Sequence, residues 1–299
     1  MKQKIASPAK TREILNQYDF IFQKRYGQNF LIDLHVLNKI IQAADLSSND
    51  YVIEVGPGIG SLTQALAEEA GQVIAIEIDK QLVPILQETL KEYDNITILN
   101  EDVLQVDMEE LLAKRPLGTA VKVVANLPYY ITTPIIMGLL EKKLPLEHIT
   151  VMVQKEVADR MRAVPGTKDY GALSVAVQYY CEPYLVANVP AHCFIPRPNV
   201  GSAVIQLRVL EEPRIRVENE SFFFQIVRAA FAQRRKTLLN ALYHYFQKEI
   251  SLSKEEIVSC FKVMGLEEKI RGETLTIEQL GTLSDLLYSM IRKTSSNTK

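Results

Sequence analysis

The sequence has few of the residues from which metal sites and disulfide frameworks are built. Its 299 residues include only three cysteines and four histidines. Cys181, Cys193 and Cys260 lie far apart, so their spacing predicts neither a zinc knuckle nor a set of disulfides. The histidines form no pair with the spacing of metal ligands. We therefore expect no bound metal.

Long apolar runs are also absent. No stretch approaches the roughly 18 apolar residues of a membrane-spanning helix, and the first residues lack the apolar core of a signal peptide. Apolar residues make up 47% of the chain and charged residues 23%, as is typical of globular proteins. These features predict a cytoplasmic protein with no membrane partner, and we expect it to be a monomer.

The formal net charge is small, at −2, but it is unevenly distributed. Residues 1–30 carry six Lys/Arg against two Asp/Glu, residues 31–205 carry 13 against 22, and residues 206–299 carry 15 against 12. Both ends are therefore basic and the middle is acidic. Nucleic acids are bound by local patches rather than by net charge, so the total is compatible with RNA binding. We expect residues 1–19 to form a basic, partly mobile tail.

Three glycines at alternate positions follow the first predicted buried strand, Tyr51–Val55. Gly56, Gly58 and Gly60 have the spacing G-x-G-x-G, whereas dinucleotide-binding folds use G-x-G-x-x-G, and no Lys-Ser/Thr follows as in a P-loop. A cofactor without phosphates needs no anion cradle, and S-adenosylmethionine (SAM) meets that condition. We predict that Gly56 and Gly58 contact SAM. A tight turn with no ligand is the alternative that the glycines alone leave open.

Polar side chains also stand at the ends of the next three predicted strands. Glu77 lies about 20 residues after the first glycine, the distance expected for an acid that binds ribose hydroxyls. Asp102 follows the third strand and Asn126 follows the fourth. Open α/β sheets bind ligands at the carboxyl ends of their strands. We therefore expect Glu77 to accept from the cofactor's ribose and Asp102 to accept from its adenine amine.

The segment Asn126-Leu-Pro-Tyr129 is suited to methylating an exocyclic amine on a base. The lone pair of that nitrogen is delocalised into the ring. The Asn126 amide oxygen and the Pro128 carbonyl can accept the two amine hydrogens and so aim the lone pair at the methyl group. Tyr129 can stack on the base, and we expect Phe194, in a loop stiffened by prolines, to stack on its other face. The segment has no His, Cys or Lys, so positioning would dominate catalysis. A turn closed by an Asx bond is the structural alternative.

Strands and helices alternate from residue 51 to about residue 143, which predicts an α/β fold with a Rossmann-like sheet. After Pro213 the pattern becomes wholly helical. We predict a SAM-binding domain over residues 1–211, with a basic N-terminal extension, and a small all-helical, RNA-binding domain over residues 212–299. The helical domain contains a basic element that is expected to hold RNA phosphates. The alternative is that its cations lie on a solvated helix face. The predicted contacts are Arg228, Arg234, Arg235 and Lys236.

Together these motifs resemble those of the KsgA/RsmA family of ribosomal RNA adenine N6-dimethyltransferases. The resemblance runs almost end to end and is carried by Gln28–Leu31, Glu54–Gly60, Glu77, Asp102, Asn126–Tyr130, Phe194–Val200 with Ser202, and Phe231–Leu238. It implies a class I SAM-dependent methyltransferase that dimethylates two adjacent adenosines near the 3′ end of 16S rRNA, in the small ribosomal subunit or its precursor. It also implies a SAM site built from Asn29, Leu31, Gly56, Glu77, Asp102 and Asn126.

Three other functions stay open. A sister family dimethylates large-subunit rRNA and confers macrolide resistance, and residues 231–238 argue against it. A non-catalytic rRNA-binding assembly factor with the same fold is disfavoured by the intact glycines and the intact Asn126–Tyr129 segment. An NAD-dependent oxidoreductase is disfavoured by the glycine spacing.

Overall fold

The structure, a computed structural model, describes residues 4–247 and 252–297. It divides the chain into two compact units, of which the first comprises Met1–Ala158 and Glu182–Leu210 and the second comprises Asp159–Cys181 and Glu211–Lys299. The described elements are, in chain order, α1 (Pro8–Gln17), β1 (Phe30–Leu31), α2 (Leu34–Ala44), β2 (Tyr51–Val55), α3 (Ser61–Glu69), β3 (Gln72–Ile76), α4 (Leu82–Thr89), β4 (Ile96–Leu99), α5 (Met108–Ala113), β5 (Val121–Asn126), α6 (Thr132–Glu141), β6 (Leu146–Gln154), α7 (Lys155–Met161), α8 (Ala172–Tyr180), β7 (Cys181–Val189), β8 (Phe194–Ile195), β9 (Ser202–Val209), α9 (Glu220–Ala232), α10 (Leu238–Phe246), α11 (Lys254–Val263) and α12 (Ile277–Asn297).

A seven-stranded sheet in the order β4-β3-β2-β5-β6-β9-β7 forms the centre of the first unit. The ladders from β4 to β6 are parallel, whereas β9 pairs with β6 in the antiparallel direction. All five residues of β2 are buried, because helices cover both faces of a doubly wound sheet. The predicted Rossmann-like α/β sheet is therefore confirmed, and the carboxyl ends of β2, β3 and β5 lie at one edge.

A second, two-stranded sheet joins the N-terminal part of the first unit to a segment much later in the chain. Leu31 of β1 pairs with Phe194 of β8 in the antiparallel direction. After β1, Asp33 caps α2 by accepting the backbone N–H of Val36 at 3.0 Å. The segment that precedes the main sheet is thus held by two features, the pairing of β1 with β8 and the cap of α2.

The prediction of a mobile N-terminal tail is wrong for the described residues. Helix α1 begins with Pro8 at its first position and is capped by Ser7. Its apolar side chains Ile14 and Leu15 are buried in a cluster with Ile59. The apolar part of α1 is short and lies between charged residues, so the sequence predicts a solvated tail. In the structure, these side chains pack against apolar residues of the first unit.

The second unit takes one segment that the predicted boundary after residue 211 leaves in the first. Helix α8 packs its aromatic face on α9, with the rings of Tyr179 and Phe223 stacked at 5.2 Å. The backbone N–H of Arg214 also donates to the Tyr179 carbonyl at 2.9 Å. In sequence, α8 is an apolar helix between two strands and so resembles a further α/β repeat. Its contacts with α9 show that it belongs to the second unit. None of the described helices has the length and apolar character needed to cross a membrane.

Candidate active site

An open cavity lies at the carboxyl edge of the main sheet. Its walls come from five segments of the first unit, Tyr26–Leu31, Glu54–Ile59, Ile76–Ile78, Glu101–Val103 and Asn126–Ile131, together with Ser61, Leu62 and Leu82. Each predicted cofactor contact lines this cavity, namely Asn29, Leu31, Gly56, Gly58, Glu77, Asp102 and Asn126. The structure thus brings together residues that are almost 100 positions apart, because the parallel strands end side by side.

The glycine turn has a left-handed backbone, and Gly58 is its tightest point. Gly58 has a φ of +62°, and a Cβ placed there would lie 2.8 Å from the Phe30 ring. Its backbone N–H donates to Glu77 at 3.2 Å. A residue with a side chain would therefore be strained at this position and would clash with the Phe30 ring of the N-terminal segment.

Gly58→Ala is expected to weaken SAM binding by about tenfold or more and to lower the free energy of unfolding by about 1–3 kcal/mol. Calorimetric SAM titration and denaturant unfolding measure the two effects. Gly138→Ala is the matched control, because a Cβ at Gly138, inside α6, has no heavy atom within 4 Å. That change should raise stability by about 0.4–1 kcal/mol. Equal SAM affinity in both variants would contradict the proposed role of the turn.

Glu77 is held by backbone donors at the end of β3. Its carboxylate accepts the N–H groups of Gly58 and, at 2.8 Å, Asp79. Asp79, which the sequence analysis missed, accepts the Gln28 amide at 2.7 Å and so ties the N-terminal segment to this edge. Burial is the main cause that raises the pKa of Glu77, to about 7. The carboxylate is therefore fixed in place and poorly solvated.

A second buried acid, Glu54, lies beneath the glycine turn. Burial is the main cause that raises its pKa, to about 8. Its Oε2 atom is buried and has no hydrogen-bond partner within the described residues. Because Glu54 lines the cavity, this orphaned oxygen is suited to a polar or cationic group of a ligand.

SAM affinity is expected to depend on pH through Glu77. With Glu77 accepting from the ribose as predicted, the hydrogen bonds are strongest when the carboxylate is ionised, so the SAM dissociation constant should rise towards tenfold per pH unit below about pH 7. The same raised pKa means that the ligand-free fold takes up a proton above the ordinary value of 4.5. The stability of the ligand-free protein should therefore fall as pH rises from 4.5 to about 7.

Titration of SAM between pH 6 and 8.5 measures this dependence, and 5′-methylthioadenosine, which lacks the amino acid end, should show the same profile. Glu77→Gln should bind weakly with a flat profile, whereas Glu54→Gln should keep the step near pH 7. An unchanged profile in Glu77→Gln would instead assign the titration to Glu54, the other buried acid of the cavity wall with a raised pKa.

The Asn126 side chain is oriented by a residue from outside the sheet. Its Nδ2 atom donates to the Asn29 carbonyl at 2.9 Å. Only the NH₂ group of an amide can donate to a carbonyl, so the partner fixes which way the amide faces. The Asn126 Oδ1 atom is thereby left as the acceptor on the other side.

The Pro128 carbonyl, the predicted second acceptor, already receives two donors. The Thr132 hydroxyl donates to it at 3.0 Å and the Ile131 N–H at 3.3 Å. Across residues 4–247 and 252–297, the Leu127 carbonyl receives none, and Leu127 also lines the cavity. The helical turn that starts at Tyr129 takes up the Pro128 oxygen, which the sequence motif alone does not reveal.

Tyr129 is half-buried and lines the cavity, and its hydroxyl lies 2.6 Å from the Ser202 hydroxyl. This contact joins the turn after β5 to the first residue of β9. Burial raises the pKa of Tyr129, so the phenol stays neutral at physiological pH. The next residue, Tyr130, is 53% exposed and also lines the cavity.

Phe194 is not placed where the predicted base clamp requires it. Its side chain is 1% exposed and belongs to a buried cluster with Leu31 and Val36. It is absent from the cavity wall among the described residues. The ring serves as core beneath β1 and β8, because pairing of these strands turns it inward.

The four predicted RNA contacts are all exposed in the second unit, but they differ in their surroundings. Arg228 lies on α9, while Arg234, Arg235 and Lys236 lie in the turn between α9 and α10. Arg234 forms an ion pair with Glu273, with the Nε and Oε2 atoms 3.3 Å apart. Helix α10 begins only at Leu238, because Thr237 caps it, so the three cations of the turn precede the helix.

Comparison with known proteins identifies the family to which the sequence is similar. A sequence model of the family described as Ribosomal RNA adenine dimethylase matches residues 20–281. Ribosomal RNA small subunit methyltransferase A of Lachnoclostridium phytofermentans is 57% identical over 284 residues, which cover 95% of this chain and 97% of the relative.

Two solved structures share the fold over most of the chain. A dimethyladenosine transferase from Plasmodium falciparum has a TM-score of 0.71 and 26% identity, covering 88% of this chain and 98% of its own. The 23S rRNA methyltransferase ErmE has a TM-score of 0.64 and 28% identity, covering 87% of this chain and 100% of its own.

Proposed function

Because the chain belongs to the ribosomal RNA adenine dimethylase family, we propose that it methylates N6 of two adjacent adenosines near the 3′ end of 16S rRNA. Each adenosine receives two methyl groups from SAM, in the small subunit or its precursor. The observation that carries this function is the Asn126 amide, which is held by the Asn29 carbonyl so that its oxygen faces away as an acceptor.

The cavity has the chemistry that SAM requires. When bound, SAM supplies an electrophilic methyl group on a sulfonium. Glu77 would accept from the ribose and Asp102 from the adenine amine, while Gly56 and Gly58 allow the backbone to approach closely. The orphaned oxygen belongs to Glu54, which lies in the same wall, and would accept from or donate to a polar group of the cofactor. Asn29 and Leu31 would close the site from the N-terminal side.

The chemical step depends on how the target amine is held. We assign one acceptor to Asn126 Oδ1 and the second to the backbone at residues 127–128, where the Leu127 carbonyl is the one without a donor among the described residues. With both hydrogens accepted, the N6 lone pair points at the methyl group. Tyr129 would stack on the base. The cavity wall contains no His, Cys or Lys within the described chain, so alignment supplies most of the acceleration.

The choice of subunit rests on sequence similarity rather than on the fold. The small-subunit relative is 57% identical, whereas the large-subunit enzyme ErmE is 28% identical and has nearly the same fold. We propose further that the enzyme acts as a monomer in the cytoplasm.

The test is methyl transfer from labelled SAM to small and large subunits from a strain that lacks this gene. Labelled N6,N6-dimethyladenosine only in small subunits is the expected result. Label only in large subunits would indicate the resistance-type function. No label in either, with RNA binding intact, would indicate an assembly factor without catalysis.

A further inference from the structure

Three phenylalanines of the N-terminal segment, Phe20, Phe22 and Phe30, form a cluster that we name the phenylalanine triad. The ring centroids lie 5.5 Å apart for Phe20 and Phe22, 5.8 Å for Phe20 and Phe30, and 5.6 Å for Phe22 and Phe30. At these distances each ring contacts the other two. Of the three, Phe30 lines the cavity, and the function proposed above gives Phe20 and Phe22 no role.

Phe30 lies between two parts of the site that methyl transfer requires. A Cβ at Gly58 would lie 2.8 Å from its ring, so the ring packs against the glycine turn. The residue before it, Asn29, provides the carbonyl that accepts from the Asn126 amide at 2.9 Å. A displacement of Phe30 would therefore move the Asn29 carbonyl and remove a support from the glycine turn.

The position of Phe20 is determined by the way in which α1 ends. The Phe20 N–H donates to the Leu15 carbonyl at 2.9 Å, and the Asp19 N–H donates to the Asn16 carbonyl at 3.3 Å. These two bonds define a Schellman motif, and Asp19 supplies its left-handed residue, with a φ of +46°. Leu15 and Phe20 belong to the same apolar cluster as Ile59 of the glycine turn. The end of the helix thus directs the Phe20 ring towards the triad.

The chain before α1 is anchored on α3, which begins directly after the glycine turn. The Ile5 N–H donates to the Gln64 side chain at 2.9 Å, and the Thr11 hydroxyl of α1 donates to the Ile5 carbonyl at 3.0 Å. Lys4 also forms an ion pair with Glu68 of α3. None of these five residues lines the cavity, so their contacts hold α1 in place without any ligand.

We propose that α1 and the phenylalanine triad are a positioning device for methyl transfer. Phe20 and Phe22 hold Phe30, and Phe30 keeps the Asn29 carbonyl where it orients the Asn126 amide. This inference rests on the proposed function, which gives Asn126 its role. It assigns residues 8–22 a part in the reaction although, within the described chain, none of them lines the cavity.

Phe20→Ala tests the triad directly. Without this ring, Phe22 is the only triad member left to hold Phe30, so single-turnover methyl transfer at saturating SAM and subunits should slow by about tenfold or more. Calorimetric titration should show SAM binding weakened several-fold, because the glycine turn loses support. Phe20→Met fills the same space with an adaptable apolar side chain and should keep most of both properties.

Phe224→Ala is the matched control, because Phe224 is a half-buried phenylalanine in a ring cluster of the second unit. Its ring centroid lies 5.2 Å from that of Tyr179 and 5.7 Å from that of Tyr180. Phe224→Ala should lower the unfolding temperature as Phe20→Ala does, but it should bind SAM and transfer methyl groups normally. Equal SAM affinities and transfer rates in the two variants would show that the triad only stabilises the fold, and would overturn the proposal.

The end of α1 can be tested without changing any ring, because Asp19 is exposed. Asp19→Gly keeps the left-handed turn and should leave transfer unchanged. Asp19→Val places a β-branched side chain in a backbone conformation that strains it, so it should displace Phe20 and slow transfer as Phe20→Ala does. Normal transfer in Asp19→Val, despite a lowered unfolding temperature, would overturn the role of α1.

A double-mutant cycle shows whether the triad acts through Asn126. Asn126→Ala has no amide to orient, so adding Phe20→Ala should slow transfer little further at saturating SAM. Effects of the two changes that multiply would mean that Phe20 acts elsewhere, and would overturn the proposal. Normal transfer by Asn126→Ala alone, or none by the unmodified enzyme, would instead contradict the proposed function.

Discussion

Asn126→Ala is expected to slow methyl transfer to small subunits by about 100-fold to 1,000-fold while leaving their affinity nearly unchanged. The change removes the acceptor that holds one N6 hydrogen, so the lone pair stays in the ring and the amine loses its alignment with the methyl group. It also removes the donor to Asn29. RNA affinity should persist, because the proposed phosphate contacts lie in other residues.

Single-turnover transfer at saturating SAM and subunits measures this effect, and a filter-binding assay measures affinity. Asn49→Ala is the matched control, because Asn49 is an exposed asparagine before β2 and is absent from the cavity wall. It should transfer methyl groups at the normal rate. Normal turnover in Asn126→Ala would refute the proposed positioning mechanism.

Lys122→Met is expected to lower the free energy of unfolding by about 3–5 kcal/mol. Lys122 and Asp50 are buried, with side chains 6% and 5% exposed, and their Nζ and Oδ2 atoms lie 3.1 Å apart. Lys122 also donates to the Asp45 carbonyl. Without the ammonium, the Asp50 carboxylate stays buried and, among the described residues, keeps only the Ser47 N–H as a donor, at 2.6 Å.

Denaturant unfolding of the single variants and of Lys122→Met/Asp50→Asn completes a double-mutant cycle. The double variant should recover much of the loss, because replacing both charges leaves no unpaired ion in the interior. Additive losses would show that the ion pair is not the source of stability. At a temperature where Lys122→Met is folded, its methyl transfer should be normal.

These two variants change residues of the same strand in different ways. Lys122 lies near the amino end of β5 and Asn126 is its last residue. The first supports the fold through a buried ion pair, and the second supplies a polar group at the edge where the cavity opens. Comparing the two separates the stability of the sheet from the chemistry at its end.

The sequence was sufficient where function depends on local pattern. Tyr51–Val55 is apolar except for Glu54 and is followed by glycines, so the strand and turn were predictable. The parallel order of strands then placed Glu77, Asp102 and Asn126 at one edge. These residues do line a common cavity. The fold and the cofactor could therefore be inferred before any coordinates were known.

Sequence reasoning failed where a side chain's role depends on distant partners. Phe194 is buried because β8 pairs with β1, and no local pattern reveals that pairing. The Pro128 carbonyl is engaged because Thr132 folds back onto it. Residues 159–181 belong to the second unit because the α8 aromatics find their stacking partners on α9. In each case the missing information was a tertiary contact.

The pairing of β1 with β8 determines when, during its own synthesis, the chain can complete its cofactor site. The strands that carry Glu77 and Asn126 emerge early, yet Leu31 cannot be clamped until Phe194 has been synthesised. Tyr129 likewise waits for Ser202. The nascent chain therefore completes its cofactor site only after about two-thirds of synthesis, and a product truncated before β8 should fail to retain SAM even though every strand from β2 to β6 is present.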